Sequence, residues 1–295
     1  MLLSIVLASQ PFMLFSIYDV AICAIFQDEA PFLKEWIEFH KLQGVQHFYL
    51  YNNNSTDHYL EVLTPYISSN KITLVEWSFS YEYAEYEKWQ EIQTGAYMNC
   101  MKKHQKDAKW IAVIDIDEFL FCPDGKTLPE FLQSYTNYGG VCVNWLKFGT
   151  SGIEDIPEAT CMIELLIHCS EQHHYDNLMV KSIVQPKRVV SCAHAHSFNY
   201  IKPYFAVTPD RRRINEARTK INDISKICIN HYWTRTEKYL FSNKIQSRQK
   251  RRPQFTTDKI MQMAIDYNQC VNNVILRYVD ELRIAMEFET AKLSK

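Results

Sequence analysis

From residue 17 the apolar positions fall into blocks that alternate in kind. IYDVAICAIF (17–26) is a continuous apolar run of the sort that makes a buried strand. Pro31, behind the acidic pair Asp28 and Glu29, marks a helix start; Phe32, Leu33, Trp36, Ile37 and His40 then recur at helical spacing, and Gly44 suits the stop. VQHFYLY (45–51) predicts a second strand, and NNNSTD after it offers loop chemistry and a helix N-cap. The pattern then predicts a helix over 57–68, a strand over 71–77, a long helix over about 85–106 and the strand WIAVI at 110–114. Strands and helices in that alternation predict a mostly parallel sheet covered by helices, whose ligands gather outside the carboxyl ends of the strands. QDE, NNNSTD and DIDE all stand at such ends.

Beyond residue 125 the alternation weakens. LPEFLQSY reads as a short helix, GGVCVNWLKFG as a strand, VKSIVQPKRVVSC and KICINHYW as further strands, and 257–288 as helical. With no repeat and no linker, residues 17–295 read as one α/β domain with an elaborated second half. The uncharged segment at 1–16 lacks a basic start, and Gln10 and Pro11 interrupt it. An export signal, an anchor, a misassigned start and a packed segment all stay open for it.

Composition narrows the class. Hydrophobic residues are 47% and charged residues 22% of the 295, which excludes a disordered chain. A net charge of −2 argues against a nucleic-acid binder, although RRR (211–213) and KIQSRQKRR (244–252) are local basic clusters. Those clusters read as solvated faces, or as contacts to phosphate or to an anionic membrane surface. Nine cysteines without CxxC spacing favour reduced thiols and a cytoplasmic protein, with peripheral attachment at the inner membrane surface as an option.

The chemistry concentrates at WIAVIDIDEFLF (110–121), where an apolar strand ends in Asp115, Asp117 and Glu118. Residues two apart in an extended segment share a side, so Asp115 and Asp117 can converge on one divalent cation, Mn²⁺ or Mg²⁺, which keeps positions for phosphate oxygens. A capped or salt-bridged acidic turn is the plain alternative. Glu164, in the apolar setting MIELLI, either has a function or pairs with Lys181 or Arg188.

AICAIFQDEAPFLKEWIEFHKLQGVQHFYLYNNNSTD, WIAVIDIDEFLF, NWLKFGTSG, KSIVQP and INHYWTRTEKY, in that order, resemble glycosyltransferase family 92 and the neighbouring family 2 enzymes of the GT-A fold. The resemblance implies a metal-dependent transferase moving a sugar from a nucleotide sugar, a UDP-sugar by expectation, to a glycan or lipid-linked acceptor with inversion. It divides the domain into a nucleotide-sugar half at about 17–125 and an acceptor half at about 126–295. Asp115 and Asp117 then hold metal and diphosphate, His231 joins them late in the chain, and Asp28, Glu29, Asn52, Asn53 and Asp57 surround the nucleoside. Trp145 and Phe148 suit an acceptor surface; His194 and His196 are substitutes for His231 or acceptor contacts, and Lys181 neutralises phosphate or meets an acceptor carried on lipid. Glu118, Asp155 and Glu164 are the candidate bases, with Glu154 also present. The competing readings are a phosphohydrolase of the haloacid dehalogenase type, against which Glu118 stands where a glycine is usual, and a silent relative that only binds sugar nucleotides.

Overall fold

The computed structural model describes residues 16–287, so the apolar segment at 1–16 lies almost wholly outside the described residues. Its first half runs β1 (Tyr18–Phe26), α1 (Ala30–Leu42), β2 (His47–Asn52), α2 (Tyr59–Ser68), β3 (Ile72–Glu76), α3 (Tyr86–His104) and β4 (Ala108–Val113). β1 to β4 are mutually parallel, in the order β4-β1-β2-β3. β1 shows why its sequence runs apolar without interruption. Val20, Ile22, Ala24 and Phe26 point to the face covered by α1 and α2, against Trp36, Phe39 and Leu63. Ala21, Cys23 and Ile25 point to the other face, against Ile92, Ala96, Tyr97 and Cys100 of α3. A strand covered on both faces has no polar side to show.

The second half adds β5 (Glu118–Phe121), α4 (Leu128–Leu132), β6 (Gly140–Lys147), α5 (Met162–Leu165), β7 (His168–Cys169), β8 (Val180–Val184), β9 (Val189–His194), β10 (Ser197–Tyr200), β11 (Ala206–Val207), β12 (Arg213–Ile214) and β13 (Cys228–His231). It extends the same sheet. β8 lies antiparallel between β4 and β6, and β11 and β12 finish that edge. β13 branches off, parallel to β6 and antiparallel to β5. The chain closes through α6 (Glu237–Tyr239), a π-helical turn at Leu240–Lys244, α7 (Ile245–Arg251), α8 (Thr257–Asp266), β14 (Cys270–Val271) and α9 (Val279–Ala285). This is the expected mixed α/β class, with helices flanking a large, mostly parallel sheet.

Three expectations change. The stretch 257–288 is not one helix. Asn268 leaves the end of α8 to bond Ser151 N–H at 2.8 Å, and β14 then pairs with β7 before α9 begins. NNNSTD does not chiefly cap α2: Asp57 accepts from Ala30 N–H at the start of α1 (2.7 Å) and from Tyr59 N–H (3.2 Å), so the loop fastens the end of β2 to α1. β4 ends at Val113 and the chain turns at Ile116 and Asp117, with Glu118 N–H donating to the Asp115 carbonyl at 3.1 Å, so the acidic segment is not an extended continuation of β4.

No helix of the described residues is long and apolar enough to cross a membrane. All nine cysteines are unpaired thiols.

Candidate functional site

A cavity of about 1190 Å³ opens where β1 and β4 end, walled by the turn after β4, β6, β8, β13 and the basic helix α7. Asp115, Asp117, Lys181, Trp145, His194, His196, His231, Asp28 and Glu29 all line it. The remaining expected residues do not.

The turn aims the two aspartates at different partners. Asp115 Oδ2 accepts from Lys181 Nζ at 2.8 Å, while its Oδ1 has Gln93 and Tyr97 at 3.4 and 3.3 Å. Asp117 Oδ2 accepts from Lys244 Nζ at 2.6 Å, and its Oδ1 lies 3.4 Å from His231 Nε2. Ile116 between them is buried, 3% exposed. Burial alone would raise Asp117, but Lys244 and His231 outweigh it and hold the carboxyl well below its usual range. Burial would equally lower Lys181; Asp115 and Glu118 instead lift it to about 12.

His231 reaches this place through the ladder. Within β13 it pairs with Glu118 on one side and Lys147 on the other. Lys147 Nζ stands 2.8 Å from His231 Nδ1 and 4.1 Å over the Trp145 ring, whose centroid is 4.5 Å from that of His231. Burial pulls Lys147 down to about 7 and, with Lys147 beside it, His231 to about 4. Burial and Lys181 also keep His196 well below its ordinary value; its Nδ1 faces the Val180 carbonyl at 2.8 Å.

α7 forms the basic wall. Arg248, Lys250, Arg251 and Arg252 line the cavity, and among the described residues none of them pairs with a carboxylate. They stack instead: Arg248 on Phe255 at 4.2 Å, Lys250 on Tyr81 at 5.0 Å, Arg251 on Trp89 at 5.1 Å and Arg252 on Tyr86 at 3.5 Å. Cations held by rings keep their charge available for an anion. This basic cluster therefore faces the cavity. The other, RRR, sits at the β11–β12 turn, where Arg211 and Arg213 lie over Tyr135 and Phe205.

The displaced candidates have structural work. Glu118 is fully buried behind the turn, accepting from Asp115 N–H at 2.9 Å with Lys181 and His231 each 3.6 Å away; burial raises it to about 8. Glu164 closes the first turn of α5 and pairs with Arg283 at 2.8 Å, neither Lys181 nor Arg188 being its partner. Asp155 is on the surface with Lys238. Asn52 bonds Glu76 at 2.7 Å, and Asn53, with its amide nitrogen toward the Trp77 and Phe79 carbonyls, donates to both at 2.9 and 2.8 Å. Asp28 accepts from Thr56 N–H at 2.6 Å, and Glu29 meets the buried Arg235 at 2.5 Å, so these two line the cavity with one side already engaged. Phe148 is fully buried, 4.7 Å from the Tyr232 ring.

Among the described residues no three or more His, Cys, Asp or Glu side chains are gathered as a metal cage. Within the cavity, Asp117 Oδ1 and His231 Nε2 lie 3.4 Å apart, a hard oxygen beside a borderline nitrogen, the donor types a divalent ion such as Mn²⁺ accepts.

A glycosyltransferase family 92 protein of Oryza sativa subsp. japonica is 31% identical over 175 residues, covering 57% of this chain and 27% of that protein. The matched stretch is thus under a third of the relative's length. A galactan beta-1,4-galactosyltransferase of Arabidopsis thaliana is 26% identical over 112 residues, covering 36% of this chain and 20% of its own. S. aureus TarS 1-349, solved in complex with UDP-GlcNAc, overlaps 68% of this chain and 60% of that one with a TM-score of 0.38 and 11% identity. The family model for glycosyltransferase family 92 matches residues 18–270, from the first strand of the sheet to β14, and the chain accordingly belongs to glycosyltransferase family 92.

Proposed function

We propose that this chain transfers a sugar from a nucleotide-sugar donor, a UDP-sugar, to a hydroxyl of a glycan or lipid-linked acceptor with inversion at the anomeric carbon. The observation that carries the reading is one cavity in which Asp115, Asp117 and His231 stand opposite a wall of cations without carboxylate partners. A diphosphate fits between them: Arg248 and its neighbours meet its oxygens as charge-assisted donors. The α7 wall thereby takes the phosphate-binding role weighed for its basic cluster. The galactan relative makes galactose the first sugar to test.

Asp117 and His231 would hold Mn²⁺ or Mg²⁺, with Asp115 addressing it once Lys181 yields. A divalent ion there would act as a Lewis acid on the departing diphosphate. For that, His231 must present the Nε2 lone pair. Lys147, poised at about 7, can shed its proton and let His231 carry one on Nδ1. Lys244, now on Asp117, is placed to move to the phosphate as the donor arrives. Trp145, 7% exposed beside His231, offers a ring face for the sugar.

Thermal-shift titration of the full chain with UDP-, GDP- and other nucleotide sugars, with and without Mn²⁺, tests this. Stabilisation by one nucleotide class that needs the metal and is abolished in Asp117→Asn is the expected result. Equal stabilisation of both proteins counts against the site.

A further inference from the structure

The transfer reading lacks a base, because Glu118, Asp155 and Glu164 all stand away from the cavity. Six carboxylates do line it: Asp28, Glu29, Asp115, Asp117, Asp176 and Glu216. A group that takes a proton from an acceptor hydroxyl must have an accessible oxygen that no cation already neutralises, and it must be held still. Asp115, Asp117 and Glu29 are paired with Lys181, Lys244 and Arg235. Asp28 is held through Oδ1 by the backbone amides of Thr56 and Asp57, in the loop after β1 that the resemblance gives to the nucleoside rather than to the acceptor. Glu216 is exposed and makes no hydrogen bond or ion pair among the described residues, so nothing aims it.

Asp176 meets both conditions. It lies in the short 3₁₀ turn Tyr175–Leu178 that leads into β8, and its own N–H donates to His174 Nδ1 at 3.3 Å. Tyr267 OH donates to Oδ2 at 2.6 Å, and no Lys or Arg pairs with the carboxylate among the described residues. The side chain is 30% exposed. Tyr267, which holds Asp176, has its ring centroid 6.0 Å from Lys147 Nζ, so the pair stands beside the Lys147–Trp145 floor of the cavity. An inverting transfer needs a base there that is distinct from the groups on the leaving diphosphate, because the two work on opposite faces of the anomeric carbon.

We propose, resting on the transfer reading above, that Asp176 is the general base and Tyr267 the residue that positions it. Asp176 Oδ1 takes the proton of the acceptor hydroxyl while that oxygen bonds to the anomeric carbon. The bond from that carbon to the diphosphate oxygen breaks, and its electron pair leaves with the nucleoside diphosphate. Tyr267, whose phenol burial and Asp176 together keep protonated, holds Oδ2 throughout.

The test uses the full chain with Mn²⁺, UDP-galactose as donor and a β-1,4-linked galactotetraose as acceptor, reading UDP release at varied concentrations and UDP binding by calorimetry. Asp176→Asn should bind UDP as the wild type does and melt at the wild-type temperature, yet lose kcat on the order of 100-fold or more. Tyr267→Phe should lose kcat by a smaller factor with the donor KM unchanged, a split that loosened packing would not give. Retention of more than a tenth of kcat in Asp176→Asn overturns the assignment, as does loss of UDP binding in that variant or a full loss in Glu216→Gln instead. A wild type that binds UDP but releases none from UDP-galactose, with or without the acceptor, overturns the transfer reading on this donor and the base with it.

Discussion

Glu35 shows how much a single buried acid can report about this molecule. It sits in α1, inside the core, and accepts from Met162 N–H at 2.8 Å and Ile163 N–H at 3.1 Å at the start of α5. Burial raises its carboxyl from 4.5 to about 7 in spite of those two donors. A raised carboxyl contributes stability that is full below its unfolded value and is lost as pH climbs through the folded one. The melting temperature of Glu35→Gln, relative to wild type, should therefore rise as pH goes from about 4.5 through about 7, as scanning fluorimetry across that range would show. A difference constant with pH would exclude the titration of Glu35. At this scale the sequence is legible where period two is respected. Trp145 and Lys147 share a face of β6 and both reach the cavity, so Lys147 could have been found from its spacing. Phe148, three beyond Trp145, belongs to the opposite face and is core. Asp176 carries no local signal, because its role comes from Tyr267, 91 residues away.

Among the elements, α7 bears most on the chemistry. Among the described residues its cations make no carboxylate pairs, so an anion entering the cavity meets donors that need not first be stripped of a partner. Arg248 is half-buried, and burial together with Arg252 and Arg251 lowers it to about 10. Removing one charge-assisted contact costs about 1.5–3 kcal/mol. Arg248→Ala should accordingly weaken UDP binding by about 10- to 100-fold in calorimetry with little change in melting temperature; unchanged affinity would place the diphosphate elsewhere. A second test concerns the join between α8 and the loop after β6. A Cβ on Gly149 would overlap the Asn268 amide, so Gly149→Ala should destabilise the fold by about 1–3 kcal/mol in urea unfolding. Repeating strands and helices made β1 to β4 readable in advance because both faces of that sheet are covered. The short strands β7, β11, β12 and β14 were not readable, since two residues carry no period.

Across the whole molecule, the parallel part of the sheet gathers the residues expected around the donor, and the mixed part carries Trp145, Lys147 and Asp176. At the mouth of the cavity the segments 81–89 and 240–252 meet by a main-chain bond and by stacking of rings on cations. Ala84 N–H donates to the Lys250 carbonyl at 2.7 Å, and rings of Tyr81, Tyr86 and Trp89 lie under cations of α7. UDP with Mn²⁺ should therefore slow amide exchange in 81–89 and 240–252 while leaving β1 and β2 unchanged, as hydrogen-exchange mass spectrometry would record. Protection spread evenly over the chain would contradict that placement.

The double pairing of β13 has a consequence for how such a protein can vary. His231 is clamped by neighbours on both flanks, so a single inserted or deleted residue within Cys228–His231 would swing the imidazole out and present Asn230 or Tyr232 to the aspartates. The connection from Ile214 to Cys228 is tied down as well, with Asn222 donating to the Trp145 carbonyl at 2.8 Å and the Ala217 carbonyl accepting from Val180 N–H at 3.1 Å, so both routes into the reacting centre must keep their register.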